Sequence, residues 1–170
     1  GTTFHTHTHT HTPFGLTQRT ANGLLIDRKG PDYLTTHIKK WFEKADFVHI
    51  SNEVSFRPNC RISGRGMSFC SKENYIKVLE SINANIIELT GSHLTDQGSR
   101  WFEHSMDMYR KRKWRWFGGG KNQREAQKPL KIDHNGNKIA FIGCNIPRTE
   151  QKVIKGGPDT ARCQWKPMLD

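Results

Sequence analysis

An α/β fold is the class that this sequence predicts, and three observations lead to it. Helix-like apolar patterns alternate with short apolar runs, an Asn-Gly turn marks a hairpin, and 170 residues suffice for one sizeable core but not two. No apolar run approaches the roughly 18 residues that cross a bilayer. This excludes a membrane-spanning segment from the sequence. Because the chain begins without Met and ends at Asp170 without a terminal signal, we expect a fragment of a longer protein.

Apolar residues at helical spacing predict three helices, each followed by an apolar strand: 33–44 and 47–50, 71–82 and 86–89, and 99–112 and 114–117. In the first helix Leu34, Ile38 and Trp41 share a face. Ser71 is the predicted N-cap of the second helix. A polar loop is expected before the first helix. The alternation predicts a parallel sheet with crossover helices.

The segment that follows the third unit predicts a β-hairpin. Residues 129–134 and 138–143 alternate in polarity around the turn Asn135-Gly136. In α/β sheets, functional side chains lie in the loops beyond the carboxyl ends of the strands. The loops that should carry function therefore follow Ile50, Leu89, Phe117 and Ile142.

The chain is strongly basic, with 27 Lys and Arg against 16 Asp and Glu, a net charge of +11 and a pI near 9.8. Most of this excess lies in one segment, which has a single acid, Glu125, and nine cations: Arg110, Lys111, Arg112, Lys113, Arg115, Lys121, Arg124, Lys128 and Lys131. Such a balance favours an anionic partner, which could be nucleic acid, an acidic polymer, phosphate or a membrane surface.

The four cysteines fall into two local couples without zinc spacing. Cys60 and Cys70 flank a turn-rich stretch, and Cys144 and Cys163 flank a loop-like one, so each couple could close a surface loop with a disulfide. Disulfides predict an exported, extracellular or cell-envelope location. The alternative is four reduced cysteines in a cytosolic protein.

Residues 1–12 are set apart from the rest, which forms one domain over 13–170. Within them His and Thr alternate from 5 to 12, and in an extended strand all four imidazoles would share one face. Such a tract could chelate a transition metal. The repeat lacks the second-shell support of a native site, so we interpret it as an affinity tag, a cloning feature or a frayed terminus.

Two of the predicted strand ends carry polar side chains. Asn52 and Glu53 follow the first strand, and His93 and Asp96 follow the second. Carboxamides, imidazoles and carboxylates hold divalent metals and position phosphate or ester chemistry, with the imidazole as general acid. A simpler reading is also open, in which these residues cap turns and helices and the histidine is a satisfied buried residue.

The order of these pieces resembles the bacterial capsule and poly-γ-glutamate synthesis (CapA-type) proteins. That family shows an Asn-Leu-Glu strand end, an Asn-Asn-His-x-x-Asp-x-Gly loop, a Gly-rich turn and a hairpin of the type Val-Lys-Ile-Ala-Phe-Leu-Gly. This chain offers Asn52-Glu53, His93 with Asp96 and Gly98, the Gly118-Gly119-Gly120 turn, and the 138–143 strand Lys-Ile-Ala-Phe-Ile-Gly. The resemblance covers roughly residues 12–145, and we expect the chain to be the N-terminal half of such a protein.

The resemblance implies a fold and a set of roles. The fold would be a metallophosphatase-like (calcineurin-like) layered sandwich with a late hairpin. His93 would be the catalytic acid, and Asn52, Glu53 and Asp96 would bind a divalent metal (Mn, Fe, Zn or Mg). The substrate-binding residues would be Arg19, Ser92, Arg112, Lys113 and Arg115. The partners would be poly-γ-glutamate or capsular polysaccharide and a membrane-bound synthesis complex.

Three departures from the family pattern weaken the predicted metal site. The family's first strand ends in Gly-Asp, but the stretch Pro13-Phe14-Gly15 has no acid. Ser92 stands where the family has the second Asn of the loop, and Glu53 follows Asn52 directly. These changes leave open a metal-dependent hydrolase or transferase with a degenerate site, and a domain without catalysis that only binds a polyanion.

A nucleic-acid-binding module is the less favoured alternative. In the segment 110–116 the cations could neutralise phosphates and the indoles could stack on bases. The same segment is typical of a helix end that leads into an aromatic strand. The predicted disulfides also argue against an intracellular partner.

Overall fold

The computed structural model describes residues 21–61, 68–145 and 157–163. These residues form four α-helices, which are α1 (Ala21–Lys29), α2 (Ile76–Ser81), α3 (Ser99–Lys111) and α4 (Gln123–Ala126). They also form nine strands, which are β1 (His49–Ser51), β2 (Phe56–Arg57), β3 (Ser71–Lys72), β4 (Ile86–Glu88), β5 (Arg115–Phe117), β6 (Gly119–Gly120), β7 (Leu130–His134), β8 (Asn137–Phe141) and β9 (Asp159–Thr160). Three short 3-10 helices lie at Pro31–Thr35, Lys39–Trp41 and Glu73–Tyr75.

The central element is a three-stranded parallel sheet in the order β1-β4-β5. Ile50 lies opposite Ile87, which lies opposite Trp116. Helices α2 and α3 make the two crossovers between these strands, since parallel strands need long connections. The α/β class predicted from the sequence is confirmed.

Alternating residues of β4 separate two apolar layers. Ile87 belongs to the main core, together with buried residues of all three longer helices, and Ile86 belongs to a smaller cluster with Phe117 and Ile132. Side chains of successive strand residues point to opposite faces. Helices therefore cover one face of the sheet, and the β7–β8 hairpin covers the other.

The predicted hairpin is confirmed, with β7 and β8 antiparallel. Its two turn residues, Asn135 and Gly136, have φ values of 50° and 79°. Tight hairpin turns of the primed type require positive φ at both positions, which Asn and Gly tolerate best.

The predicted helix over 33–44 is wrong, because that stretch contains two 3-10 helices instead. The Thr35 hydroxyl donates to the Asp32 carbonyl oxygen and pairs with the Ser81 hydroxyl at 2.7 Å. Side-chain bonds of this kind compete with the helical backbone pattern, and 3-10 segments are short by nature. Trp41, placed on the buried face by the sequence pattern, is 72% exposed.

Two further local predictions are wrong. Ser71 caps no helix, because it lies in β3, which pairs with β2 in a short parallel ladder. The polar loop expected near residue 21 is helix α1, whose Ile26 is buried against the core. Gly30 follows this helix with φ 90°, and its N–H donates to the Ile26 carbonyl oxygen at 2.9 Å. A basic last turn followed by glycine is a common helix ending, and this was the signal available in the sequence.

Both cysteine couples are bonded in the structure. Cys60 and Cys70 have Cα atoms 5.8 Å apart, and those of Cys144 and Cys163 are 5.3 Å apart. The first bond lies beside the β2–β3 ladder, and the second joins the residues after β8 to those after β9, which pairs with β6. In the parts of the chain that the structure describes, no helix is long and apolar enough to cross a membrane.

Candidate functional site

Loops from three elements meet at the carboxyl edge of the parallel sheet. The chain leaves β1 at Asn52, β4 at Leu89 and β5 at Gly118. An isolated parallel bridge joins Val54 to His93, so the first two loops run side by side. The sequence expectation that these strand ends lie together is therefore met for the residues after β1 and β4.

Asn52 is 5% exposed and is held by its amide group. Its Nδ2 donates to the Val54 carbonyl oxygen at 2.8 Å and to the Tyr109 hydroxyl at 2.6 Å. Burial raises the pKa of the Tyr109 hydroxyl, which keeps it neutral as an acceptor. Both amide hydrogens are used, so Oδ1 is the atom of this side chain that remains for a cation or a donor.

Glu53 connects the β1 loop to the β4 loop. Its Oε1 accepts from the Ser92 backbone N–H and from the Ser92 hydroxyl, both at 3.1 Å. A Cβ at Gly91 would lie 2.7 Å from the Glu53 Cα, so the two backbones touch there. Glycine is needed at this position because of that close approach.

His93 and Asp96 form a pair with a defined orientation. His93 Nδ1 lies 2.7 Å from Asp96 Oδ2, and the same oxygen accepts the Phe69 N–H at 2.9 Å. The two side chains are 18% and 17% exposed. Because an ionised carboxylate only accepts, Nδ1 carries the proton in this contact, and Asp96 sets the orientation of the ring.

The glycine turn after β5 packs under the β4 loop. Gly118 has φ 75°, and a Cβ there would lie 2.5 Å from the Thr90 methyl carbon. A Cβ at Gly143 would lie 2.8 Å from the same carbon. The Thr90 hydroxyl donates to Glu88 Oε1 at 2.6 Å, and His49 Nε2 lies 3.2 Å from Glu88 Oε2. The Gly-rich turn therefore serves close packing at this edge.

The predicted basic substrate residues lie at the other end of the sheet. Arg115 is the first residue of β5 and pairs with Ile86, the first residue of β4, whereas His93 follows the last residue of β4. Arg112 donates to Glu80 Oε1 at 2.5 Å, and its guanidinium lies 5.8 Å from the Trp114 ring. The structure thus separates these cations from Ser92 and His93. Arg19 lies outside the described residues, as does the His-Thr tract.

Lys113 has an unusual backbone conformation. Its φ is 60°, and it follows the last turn of α3. The Trp114 N–H donates to the Tyr109 carbonyl oxygen and the Lys113 N–H to the Arg110 carbonyl oxygen, both at 3.0 Å. This is the Schellman motif, in which the left-handed residue is usually glycine. A lysine here costs roughly 1 kcal/mol relative to glycine.

The predicted metal ligands do not complete a metal centre within the described residues. Asn52 donates twice, Glu53 Oε1 accepts from Ser92, and Asp96 Oδ2 accepts from two donors. Among residues 21–61, 68–145 and 157–163 no group of three or more His, Cys, Asp or Glu side chains is arranged to hold a metal ion. The metal-ligand roles of Asn52, Glu53 and Asp96 stay a prediction.

Two contributors to this edge were missed in the sequence. Tyr109 lies among apolar residues of α3, and Phe69 lies in no recognisable motif. Their contacts with Asn52 and Asp96 span 57 and 27 residues. Local periodicity carries no signal for such pairings, although the neighbouring Cys70 indicates that Phe69 is held in place.

The comparisons with known proteins agree with the motif order. The family model described as bacterial capsule synthesis protein PGA_cap matches residues 6–165. The capsule biosynthesis protein CapA of Bacillus anthracis is 20% identical over 123 residues, which cover 70% of this chain. The chain spans about 30% of the length of that relative. Because the family model covers nearly the whole sequence, the resemblance is confirmed, and the chain belongs to the bacterial capsule synthesis (PGA_cap) family.

Proposed function

We propose that this chain is part of an exported capsule-biosynthesis protein that handles a carboxylate-rich envelope polymer, with His93 as the residue that meets the polymer. Poly-γ-glutamate and acidic capsular polysaccharide share that chemistry. The observation that carries the proposal is the His93–Asp96 pair at 2.7 Å, at the carboxyl edge of the sheet in a capsule-synthesis domain. The two disulfides support the exported location.

The pair has the geometry of an acid–base group. Asp96 accepts from Nδ1 and orients the ring, and Nε2 is the nitrogen to which the proposal gives proton exchange. In hydrolysis or transfer, protonated Nε2 would give its proton to the leaving amine or hydroxyl as the bond to that atom breaks. The oxygen of the attacking water or acceptor hydroxyl would form a new bond to the polymer atom that loses the leaving group, and its proton would pass to the now neutral Nε2, which restores the acid. If no bond is broken, protonated His93 binds the polymer carboxylate instead.

The test replaces His93 in the whole protein, in a strain that makes the polymer. His93→Gln should strongly reduce the amount or change the length of the surface polymer. The matched control is His104→Gln, because His104 Nε2 also contacts a carboxylate, Glu73, but lies on α3. Unchanged polymer in a folded His93→Gln strain would refute the proposed role, as would an equal effect of both substitutions.

We propose in addition that the polymer is also bound at the basic end of the sheet, at a distance from His93. This basic end is defined by Arg112, Lys113 and Arg115. Lys113 and Arg115 are exposed, and Lys113 occupies a position where glycine would be more stable. A strained residue that persists points to a role outside folding. A flexible polyanion could contact both ends of the sheet at once, which raises its effective affinity.

Lys113→Gly separates stability from binding at this surface. We expect the free energy of unfolding to rise by roughly 0.5–1 kcal/mol, because the left-handed strain is relieved. Affinity for poly-γ-glutamate at low salt should fall. The matched control is Asn83→Gly, another residue with positive φ, which is expected to leave the affinity unchanged. Unchanged affinity for Lys113→Gly would contradict the proposed surface.

Charge reversal tests the same surface more strongly. The double substitution Lys113→Glu with Arg115→Glu removes two proposed ion contacts with the polymer, worth about 0.5–1 kcal/mol each. Affinity for poly-γ-glutamate should therefore fall roughly tenfold, and it should depend less on salt concentration. Lys39→Glu with Lys40→Glu makes the same change of net charge elsewhere. Tighter binding of an oligonucleotide than of poly-γ-glutamate by the unmodified chain would favour the nucleic-acid alternative.

A further inference from the structure

Ser68 and Phe69, next to Cys70, make several contacts with the loop that carries His93. The Phe69 N–H donates to Asp96 Oδ2 at 2.9 Å, and the Phe69 ring meets the His93 ring edge-on, with centroids 4.7 Å apart and an interplanar angle of 86°. The Ser68 hydroxyl accepts from Gln97 Nε2 at 2.5 Å. Backbone, ring and side-chain contacts therefore converge on one short stretch.

The position of Phe69 is in turn fixed by the disulfide. Cys60 and Cys70 are 2% and 0% exposed, so the bond is part of the core. On either side of it, β2 and β3 pair in parallel, and the Phe56 N–H of β2 donates to the Ser105 hydroxyl of α3 at 2.8 Å. The bond thus ties Phe69 to the strand ladder and to the main helix.

These contacts favour one tautomer of His93, the one in which Nδ1 carries the proton. Asp96 Oδ2 accepts from both His93 and the Phe69 N–H, so the backbone donor holds the carboxylate in the orientation that receives Nδ1–H. The edge-on ring of Phe69 limits rotation of the imidazole. Without both restraints the carboxylate and the ring can rotate apart, and the tautomer is no longer fixed.

We propose that Phe69 is a positioning residue for His93 and that the Cys60–Cys70 disulfide holds it in that role. The consequence for polymer handling rests on the proposed function of His93. The structural part does not, because it concerns the tautomer of one side chain.

The experiment records the ring nitrogens of His93 by 15N NMR in three forms of the chain. We expect Nδ1–H in the unmodified chain and in Cys144→Ser with Cys163→Ser, which removes the other disulfide. In Cys60→Ser with Cys70→Ser we expect a shift towards Nε2–H. The two double variants open loops with sequence separations of 10 and 19 residues, so the loop-closure contributions to stability differ by less than about 1 kcal/mol. Spectra are recorded at a temperature where both double variants are folded, so that a shift confined to the Cys60/Cys70 variant is not a general effect of lower stability.

Phe69→Ala keeps the proposal testable if the cysteine variant does not fold. It retains the backbone donor and the disulfide but removes the ring, so a smaller shift of the same sign is expected. Unchanged nitrogen signals in Phe69→Ala and in the Cys60/Cys70 variant would overturn the proposal. If the signals shift but His93→Gln leaves the capsule polymer unchanged, the positioning role stands and the proposed function falls.

Discussion

Replacing Tyr109 by Phe isolates one hydrogen bond that fixes the start of the β1 loop. The ring packs against Phe56 and Trp114, with centroids 6.2 Å and 6.0 Å away, and Phe preserves that packing. The lost hydroxyl is the acceptor 2.6 Å from Asn52 Nδ2, and Asn52 is buried. A buried donor left without its acceptor costs about 1–3 kcal/mol. We expect Tyr109→Phe to lower the free energy of unfolding by that amount.

A double-mutant cycle with Asn52→Ala separates this bond from other effects. Asn52→Ala also loses the bond to Val54, but the Tyr109→Phe change should then cost little, because its donor has gone. Urea unfolding of the four proteins should give a coupling energy of about 1 kcal/mol or more. The control is Tyr33→Phe, whose exposed hydroxyl accepts from Lys29 Nζ and should contribute less than about 0.5 kcal/mol. Additivity of the two substitutions would refute the assignment.

Three further predictions follow from other parts of the chain. Gly91→Ala should lower the free energy of unfolding by about 1–3 kcal/mol, because the new Cβ lies 2.7 Å from the Glu53 Cα and a backbone cannot rotate away; urea unfolding that matches the parent would contradict this. Burial raises the pKa of Tyr75 and of Tyr109, so the stability that their neutral forms contribute is complete below the unfolded pKa of about 10 and is lost as pH rises above that value. The midpoint of urea unfolding should therefore fall as pH rises from about 8 to about 11, and a midpoint that rises across this range would contradict the prediction. Deleting residues 1–12 should remove most Ni²⁺ binding in calorimetric titration, because the alternating histidines bind that metal, and a full retained stoichiometry would instead indicate ligands in the rest of the chain.

The sequence predicted the elements whose signal is local. Helix α3, the strands on either side of it and the hairpin follow from spacing and from Asn135-Gly136, and the structure has all of them. The α-helix expected over 33–44 does not form, because the Thr35 hydroxyl makes a hydrogen bond with that of Ser81, a residue 46 positions away. Tertiary contacts of that kind override a periodic pattern, and the pattern itself does not show them.

The sequence predicted which residues belong to the candidate site, but it predicted their positions in the sheet only in part. Ser92, His93 and Asp96 lie where the strand-end rule placed them. The same rule puts Arg115 at the opposite end, since it begins a strand that is parallel to the other two. The restraints from Tyr109 and Phe69 depend on how distant segments pack, and the spacing of residues carries no information about that.

Binding of the polymer at His93 is tested by NMR of the histidine rings while poly-γ-glutamate is added to the unmodified chain. We expect a saturable change in the 15N and 1H signals of His93, with the signals of His104 unchanged as an internal reference. A change confined to the basic end of the sheet, or none at His93 when the polymer is bound, would contradict the proposal that this polymer is handled at the His93–Asp96 pair.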